Sequence, residues 1–152
     1  MVPTTFRVAT STDLPVILAL LADDAIARSR TGYLEEPVPA VRATFDEIAA
    51  DPNNELIVGV REGEVIATLL LTYIPGLSRG GMRRALVEAV RVRSDLRGQR
   101  IGELLMQDAM ARARARGCGL MQLTTDKRRL EAHRFYARLG FEASHEGMKR
   151  SL

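Results

Sequence analysis

The feature that most constrains this chain is a glycine-containing loop that joins an apolar strand pattern to an amphipathic helix pattern. The loop reads Arg97-Gly98-Gln99-Arg100-Ile101-Gly102 and follows Val90-Arg91-Val92. The first N–H groups of a helix have no intrahelical acceptors and lie at the positive end of its dipole, so such a junction favours anion binding. Its spacing fits neither the dinucleotide fingerprint nor a P-loop, and the alternative is a plain turn whose arginines lie in solvent.

The rest of the chain shows alternating strand and helix patterns. A hairpin signal, Arg61-Glu62-Gly63-Glu64, separates two apolar runs. The predicted strands cover residues 5–9, 55–60, 65–73, 85–92 and 120–124, with an extended segment from residue 141. Helices are predicted from Ser11 or Thr12, over residues 41–48, 100–116 and 129–139.

A hairpin section followed by strand–helix alternation predicts an α/β (α+β) fold, in which helices cover both faces of a mixed sheet. No linker composition divides the sequence, so residues 1–152 are expected to form one domain.

Charge is unevenly distributed along the chain. Residues 1–60 hold four Arg and nine Asp or Glu, a net −5, whereas residues 61–152 hold 18 Lys or Arg and ten Asp or Glu, a net +8. An arginine-rich half suits a phosphorylated small molecule or nucleic acid, although a GC-rich genome explains the excess of Arg equally well. Aromatic residues are only 5% and do not interleave with basic ones, so no nucleic-acid partner is expected.

The single cysteine, Cys118, excludes an internal disulfide, and apolar runs such as residues 65–71 are shorter than a membrane span. We therefore expect a cytoplasmic protein with no membrane partner.

Two segments together resemble the GNAT N-acetyltransferase superfamily. Residues 97–102 are similar to its acetyl-CoA pyrophosphate loop, Arg/Gln-x-x-Gly-x-Gly/Ala, and Ala132-His133-Arg134-Phe135-Tyr136-Ala137-Arg138-Leu139-Gly140-Phe141 is similar to its Ala-x-x-Phe-Tyr-x-x-x-Gly-Phe segment. The resemblance implies a GNAT-like acyl-CoA N-acyltransferase fold with a mostly antiparallel sheet. It also implies transfer of an acetyl group from acetyl-CoA to a primary amine of a small molecule or protein by direct attack in a ternary complex. No metal is expected, because no cluster of Cys and His has the spacing of a metal site.

The resemblance assigns the co-substrate contacts to one stretch of chain. Arg97, Gly98, Gln99, Arg100, Ile101 and Gly102 would hold the pyrophosphate. The strand residues Val90 and Val92 would pair with the peptide-like pantetheine arm, and a backbone N–H near Val92 would stabilise the charge that develops on the thioester oxygen.

Two positions depart from the family pattern. Arg100 stands where the first loop glycine is usual, and we expect a helical backbone there and an additional phosphate contact. Arg129 stands where many members have an Asn that contacts the pantetheine arm, so that contact is in doubt.

Tyr136 occupies the position of the family's general acid. A phenol with an ordinary pKa near 10 is protonated at neutral pH and can give its proton to a leaving thiolate. The alternative is a half-buried helix aromatic beside Phe135.

Glu88 is the candidate general base. Strand alternation predicts that residues 88, 90 and 92 share one face, and a carboxylate there can accept a proton from the amine. The alternatives are recognition of the substrate ammonium without proton transfer, or an ion pair with Arg91 or Arg84.

Other reactive residues are weaker candidates. His133 is expected to orient Tyr136 or to lie on the surface, and His145 to line the acceptor pocket or belong to a tail loop. Cys118 is interpreted as a buried residue that packs in the core and has no catalytic role, since no base adjoins it in sequence.

The acceptor and the assembly are the least determined features. The acidic pairs Asp23-Asp24 and Glu35-Glu36 would favour a cationic acceptor, although a solvated helix face also explains the first pair. A homodimer is expected, because twofold dimers are the commonest oligomers. The competing functions are a catalytically silent CoA-binding module and an acyltransferase for a longer acyl-CoA.

Overall fold

The computed structural model describes residues 2–29 and 38–152. Its five strands are β1 (Thr5–Val8), β2 (Asn54–Arg61), β3 (Glu64–Ile74), β4 (Arg83–Val92) and β5 (Cys118–Leu123). The helices are α1 (Leu14–Ala22), α2 (Ala25–Arg28), α3 (Pro39–Ala50), α4 (Ser78–Gly81), α5 (Ile101–Ala115) and α6 (Leu130–Arg138). In the described ranges, none of the helices is long and apolar enough to span a membrane.

The strands form one sheet in the order β1-β2-β3-β4-β5. The first four strands pair antiparallel, and β5 pairs parallel with β4 after the crossover through α5. The tight β2–β3 hairpin turns at Glu62 and Gly63, both with positive φ. The predicted mixed, mostly antiparallel sheet is therefore confirmed.

Apolar side chains bury both faces of the sheet. One cluster joins α5, through residues such as Leu105 and Met106, to Leu69 and Leu71 of β3. A second cluster, on α1, α3 and β2, contains Leu14, Ile17, Leu18, Phe45 and Val58. This arrangement confirms helices on both faces.

A bulge interrupts β4 at Ala89, whose φ is +54°. Leu70 of β3 is opposite Glu88 and Thr68 is opposite Arg91, so three steps on β4 match two on β3. Val90 consequently packs against the same cluster as Val87. The predicted alternation of residues 88, 90 and 92 on one face is therefore wrong, because the extra residue changes the parity after Glu88.

The two parallel strands stay together only over part of β4. Their pairing runs from Arg83 opposite Cys118 to Val87 opposite Leu123, where β5 ends. Beyond that point, residues 88–92 have no partner strand on the β5 side among the described residues. A cleft opens there.

The C-terminal segment has no strand partner in the part of the chain that is described. Residues 140–152 follow α6 without regular secondary structure, and residues 142–152 are all exposed. The extended segment predicted from Phe141 onward therefore does not join the sheet of its own chain, and the outer edge of β5 is left uncovered by any described strand.

Candidate active site

The cleft lies where β4 and β5 separate. The walls include Glu88, Val90 and Arg91 of β4, together with Arg129 and Tyr136 on and beside α6. Among the described lining residues, seven are Arg or Lys and four are Asp or Glu. The cleft therefore combines a strand edge that has no described partner strand on the β5 side with a mainly basic wall.

The predicted phosphate loop lies at the end of β4 and opens directly into α5. Gly98 has φ of +81°, and an added Cβ there would meet no atom within 4 Å. Gly98 is therefore required for its backbone conformation, and it leaves open space beside the loop.

Arg100 departs from its predicted conformation. It caps α5 with φ 64° and ψ 15°, which is left-handed, so the expected helical backbone is wrong. The turn into α5 needs a left-handed residue, the conformation that glycine adopts without strain. The Arg100 guanidinium donates to both carboxylate oxygens of Glu103 at 2.9 Å.

The N-terminus of α5 presents backbone donors to this loop. Leu104 N–H donates to the Arg100 carbonyl at 3.1 Å as the helix begins. The N–H groups of Ile101, Gly102 and Glu103 precede this first turn and lie at the positive end of the helix dipole. An anion beside the loop would meet them.

Gly102 brings three elements together. A Cβ at this position would lie 3.3 Å from Phe135 Cζ of α6 and 3.7 Å from Val92 Cγ2 of β4. The glycine thus allows the start of α5 to pack against the end of β4 and against the ring that precedes Tyr136.

The remaining loop side chains contact neighbouring segments. Gln99 Oε1 accepts from Arg61 Nη1 at 3.1 Å, and Arg97 Nη2 donates to the Asp23 carbonyl at 3.5 Å. The side chains of Gln99 and Arg97 are both exposed to solvent.

Tyr136 is half-buried within an aromatic group in the cleft. Its ring centroid lies 5.1 Å from that of Phe135 and 5.8 Å from that of Phe141. Burial raises the pKa of the phenol, and the positive charges of Arg91 and Arg129 oppose that rise only in part. The phenol therefore keeps its proton at neutral pH.

Glu88 lies on the cleft wall and is exposed. The bulge at Ala89 separates its side chain from the face shared by Val87 and Val90. Glu88 is therefore open to an incoming substrate or to water.

An ion-pair cluster that the sequence did not predict lies behind the same wall. Asp24, between α1 and α2, contacts Arg91 Nη2 at 2.9 Å and also Arg129 Nη2. Burial raises the pKa of Asp24, but the hydrogen bond from Arg129 and the charge of Arg91 outweigh it and hold the pKa below its usual value. In the sequence, the one indication of this cluster was that Arg129 stands where many members of the resembled family have Asn.

The weaker candidates have local roles. His133 Nε2 contacts the Asp126 carbonyl at 3.2 Å rather than Tyr136, and His145 Nδ1 lies 2.7 Å from the Ser144 hydroxyl. Cys118 is half-buried, and burial raises the pKa of its thiol. Glu35-Glu36 lies outside the described residues. No group of His, Cys, Asp or Glu with metal-binding geometry occurs within the described ranges.

Comparison with known proteins agrees with this geometry. The model of the acetyltransferase (GNAT) family matches residues 18–141. An aminoalkylphosphonate N-acetyltransferase of Salmonella typhimurium is 32% identical over 146 residues, which are 96% of this chain and 90% of that protein. An L-methionine sulfoximine/L-methionine sulfone acetyltransferase of Pseudomonas aeruginosa is 32% identical over 87% of this chain and 76% of its own length.

A solved structure shares nearly the whole fold. It is described as a transcriptional regulator from Bacillus halodurans C-125, and it superposes with a TM-score of 0.91 at 46% identity over 99% of this chain and 100% of that one. The family match spans the loop, the β4 side of the cleft and the Tyr136 segment. The chain belongs to the GNAT acetyltransferase family, whose members are N-acetyltransferases that use acetyl-CoA.

Proposed function

We propose that this protein transfers the acetyl group of acetyl-CoA to a primary amine of a small molecule by direct attack in a ternary complex. The observation that carries the proposal is that β4 continues past Val87 to Val92 with no second strand beside it among the described residues on the β5 side, and that it runs through the loop into the N-terminus of α5. Tyr136 lies in the same cleft.

Residues of the loop and strand suit the parts of acetyl-CoA. Arg97, Arg100 and the amides from Gly98 to Gly102 would bind the pyrophosphate, with Gln99 and Ile101 completing the loop. The free backbone edge at Val90 and Val92 would hydrogen-bond the pantetheine arm as an added strand. A backbone N–H near Val92 would then face the thioester oxygen.

The transfer removes two protons from the nitrogen of the substrate ammonium and supplies one proton to sulfur. Glu88, directly or through water, accepts the first proton from the substrate ammonium, and the neutral amine forms the new C–N bond at the acetyl carbonyl to give a tetrahedral intermediate. As the C–S bond breaks, the electron pair leaves on sulfur and Tyr136 supplies its phenol proton to the thiolate. The second proton of the acetylated nitrogen then passes to the phenolate, which restores Tyr136. The raised pKa of Tyr136 keeps the phenol proton available.

The acceptor is proposed to be a small molecule. Both similar enzymes named above are described by small amine substrates, and this chain covers most of their length. The cationic acceptor expected from the sequence stays a prediction. Asp24 is paired with two arginines, so the prediction now depends on Glu88 and on Glu35-Glu36, which lies outside the described residues.

The test is release of CoA thiol from acetyl-CoA with a panel of primary amines, followed by the mass of each product. We expect CoA release that depends on an amine and yields an N-acetyl product. Tight acetyl-CoA binding without turnover of any amine would instead establish a silent CoA-binding module. Faster turnover with a longer acyl-CoA would establish a different donor.

The similarity to a protein described as a transcriptional regulator makes DNA a necessary control. We predict that acetyl-CoA raises the thermal midpoint, since a ligand at 100 times its Kd contributes about 2.7 kcal/mol. DNA is expected to leave the midpoint unchanged. Stabilisation by DNA alone would overturn the enzymatic proposal.

A homodimer is also proposed. Among the described residues, the exposed segment at residues 142–152 forms no strand and the outer edge of β5 has no partner strand, and both observations support a dimer because a second copy can pair with such surfaces. Sedimentation at micromolar concentration tests it, and a species of 16.8 kDa would refute it. A cytoplasmic location and one N-acetyltransferase domain over residues 1–152 stay predictions.

A further inference from the structure

One face of β4 carries two charged side chains that both line the cleft. Ala85 and Val87 belong to the buried cluster that includes α5, so strand alternation places Arg84 and Glu88 on the opposite face. Both residues precede the bulge at Ala89, and the register with β3 is regular from Arg84 to Glu88. Arg84 and Glu88 therefore share one face of the sheet, four residues apart.

The two charges on this face do not neutralise each other. Glu88 is exposed and Arg84 is half-buried. Among the described residues, neither the Glu88 carboxylate nor the Arg84 guanidinium has an ion pair or a hydrogen bond. The ion pair between them that the sequence allowed is not formed, because four residues of a strand span about 13 Å. The face presents one available acceptor group and one available donor group.

The loop before β4 leaves room for the guanidinium of Arg84. A Cβ added to Gly76 would lie 3.2 Å from Arg84 Nη1, so the guanidinium lies against the backbone of this glycine. Residues 76–82 include no acidic residue, and Arg79 of this loop lines the cleft together with Arg84. This end of the cleft is therefore basic, and the Arg84 guanidinium has N–H donors that a ligand can use.

The separation of the two charges sets the length of a ligand that bridges them. Side chains stand roughly perpendicular to a sheet, so the charged groups of Glu88 and Arg84 remain about 13 Å apart, and a hydrogen bond at each end takes up about 3 Å. The two charges of the ligand would then lie about 7 Å apart, which an extended chain covers in about six bonds.

The surface between the two charges is apolar. Leu86 lies between Arg84 and Glu88 on the same face and is half-buried. Leu120 of β5 is paired with Arg84, lines the cleft and is 39% exposed. A chain of methylene groups would pack there, which favours a ligand whose polar groups are confined to its two ends.

We infer that Arg84 binds an anionic group at the far end of the acceptor, so that the substrate is a primary amine with a carboxylate or a similar anion about six bonds from its nitrogen. This inference rests on the proposed function, in which the amine lies at Glu88. It makes Arg84 a specificity-determining residue for the acceptor.

The first test compares linear primary amines that differ in length and in the group at the far end. The anionic amines are 3-aminopropanoate, 4-aminobutanoate and 6-aminohexanoate, and the controls of matched length are 6-amino-1-hexanol and 1,6-diaminohexane. The inference predicts that kcat/KM is about tenfold or more higher for 6-aminohexanoate than for the shorter carboxylates and for both controls, as charge-assisted hydrogen bonds provide.

The possible failures of this comparison are distinguishable. Equal or higher kcat/KM for the alcohol, the diamine or the shortest carboxylate would overturn the inference, and so would turnover of other amines but of none in this series. Failure of every amine, in this series and in the wider panel, would overturn the proposed function itself.

Substitution separates recognition from structure. Arg84→Gln should raise KM for 6-aminohexanoate about tenfold, while kcat, KM for 6-amino-1-hexanol and the Kd of acetyl-CoA stay within about twofold. Arg83→Gln is the matched control, because Arg83 is the preceding residue and donates to Asn53 Oδ1 at 3.4 Å. An equal loss with both amines, or a loss of acetyl-CoA affinity, would contradict the inference and identify Arg84 as a structural or co-substrate residue.

Charge reversal provides a second variant, whose readout is a gain rather than a loss. Arg84→Glu replaces the cation at the far end with a carboxylate, so the ratio of kcat/KM for 1,6-diaminohexane to that for 6-aminohexanoate should rise about 100-fold over the parent protein. An unchanged ratio, in a variant that keeps the parent thermal midpoint and acetyl-CoA Kd, would overturn the inference.

Discussion

At the scale of single residues, the proposed chemistry depends most on Tyr136. We predict that Tyr136→Phe lowers kcat about 10²–10⁴-fold while the Kd of acetyl-CoA stays within about twofold, because only the proton donor is removed. Tyr73→Phe is the matched control. Tyr73 is a buried phenol that donates to Glu55 in the core, so its loss should lower stability and leave kcat unchanged.

The pH profile adds a second readout for Tyr136. Since burial raises the pKa of this phenol, the acid stays protonated past pH 9, and kcat should show no falling limb below that pH. Full turnover of Tyr136→Phe at every pH would show that another group or water protonates the thiolate.

Glu88 is tested by the shape of its pH dependence. If Glu88 accepts the amine proton, Glu88→Gln lowers kcat most at neutral pH and recovers as the pH approaches the pKa of the amine. A raised acceptor KM with an unchanged profile would instead assign Glu88 to ammonium recognition. Glu142→Gln is the control, because Glu142 is another exposed carboxylate that lines the cleft. This substitution should change neither the pH dependence of kcat nor the KM of the acceptor.

Local sequence patterns predicted some of the site residues and missed others. The loop at 97–102 and the Tyr136 helix were predictable, because glycine spacing and helical periodicity are local signals. The ion pairs of Asp24 with Arg91 and Arg129 join residues 67 and 105 positions apart, and no local pattern reports them. Asp23-Asp24 was accordingly interpreted as a solvated or substrate-attracting pair.

At the scale of elements, local patterns located the helices and strands well. Helix α5 was predicted over 100–116 and spans Ile101–Ala115, and α6 was predicted over 129–139 and spans Leu130–Arg138. Two irregularities were not predictable. Ala89 and Arg100 both adopt positive φ, a conformation that their side chains disfavour and that only the surrounding structure imposes.

These backbone requirements predict opposite effects for two substitutions in the loop. Gly98→Ala places a Cβ on a residue with φ of +81° and should lower the free energy of unfolding by about 1 kcal/mol and raise the Kd of acetyl-CoA. Arg100→Gly removes the strain of a left-handed arginine and should raise the free energy of unfolding by up to about 1 kcal/mol. The measurements are urea unfolding and calorimetric titration with acetyl-CoA.

Arg100→Gly is also informative about phosphate binding. If the guanidinium contacts the pyrophosphate, the variant binds acetyl-CoA more weakly although it is more stable. Unchanged affinity would leave Arg100 as a partner of Glu103 alone. Unchanged affinity in Gly98→Ala would remove this loop from the binding site.

At the scale of the whole molecule, acid stability depends on carboxylates that join separate elements. Asp13 joins β1 to the start of α1, because it accepts from Arg7 Nη1 at 2.7 Å, from Arg7 Nη2 at 3.0 Å and from Thr10 N–H at 2.7 Å. The hydrogen bonds from Arg7 hold the pKa of Asp13 below its usual value. Asp24 is a second carboxyl with a lowered pKa.

A carboxyl whose folded pKa is lowered contributes stability above its unfolded pKa of about 4, and that stability is lost as the pH falls through the folded value. We therefore predict that the free energy of unfolding decreases between about pH 5 and pH 2. Asp13→Asn should cost about 1 kcal/mol at pH 7, since Arg7 is partly exposed, and should flatten the decrease.

Asp95→Asn is the control for this prediction, because Asp95 pairs with Arg93 on the open surface and its loss should not change stability measurably. A decrease of the same slope in Asp13→Asn and the parent protein would show that other carboxyls govern acid unfolding.

The central claim is direct transfer from acetyl-CoA to an amine within one cleft. The most direct measurement is a rapid-quench single turnover in which the protein is first loaded with acetyl-labelled CoA and then mixed with the amine. The account predicts no label on the protein before the amine is added, and label on the amine nitrogen in a single phase afterwards. Label on the protein before mixing, for example on Cys118, or label recovered only as free acetate, would contradict it.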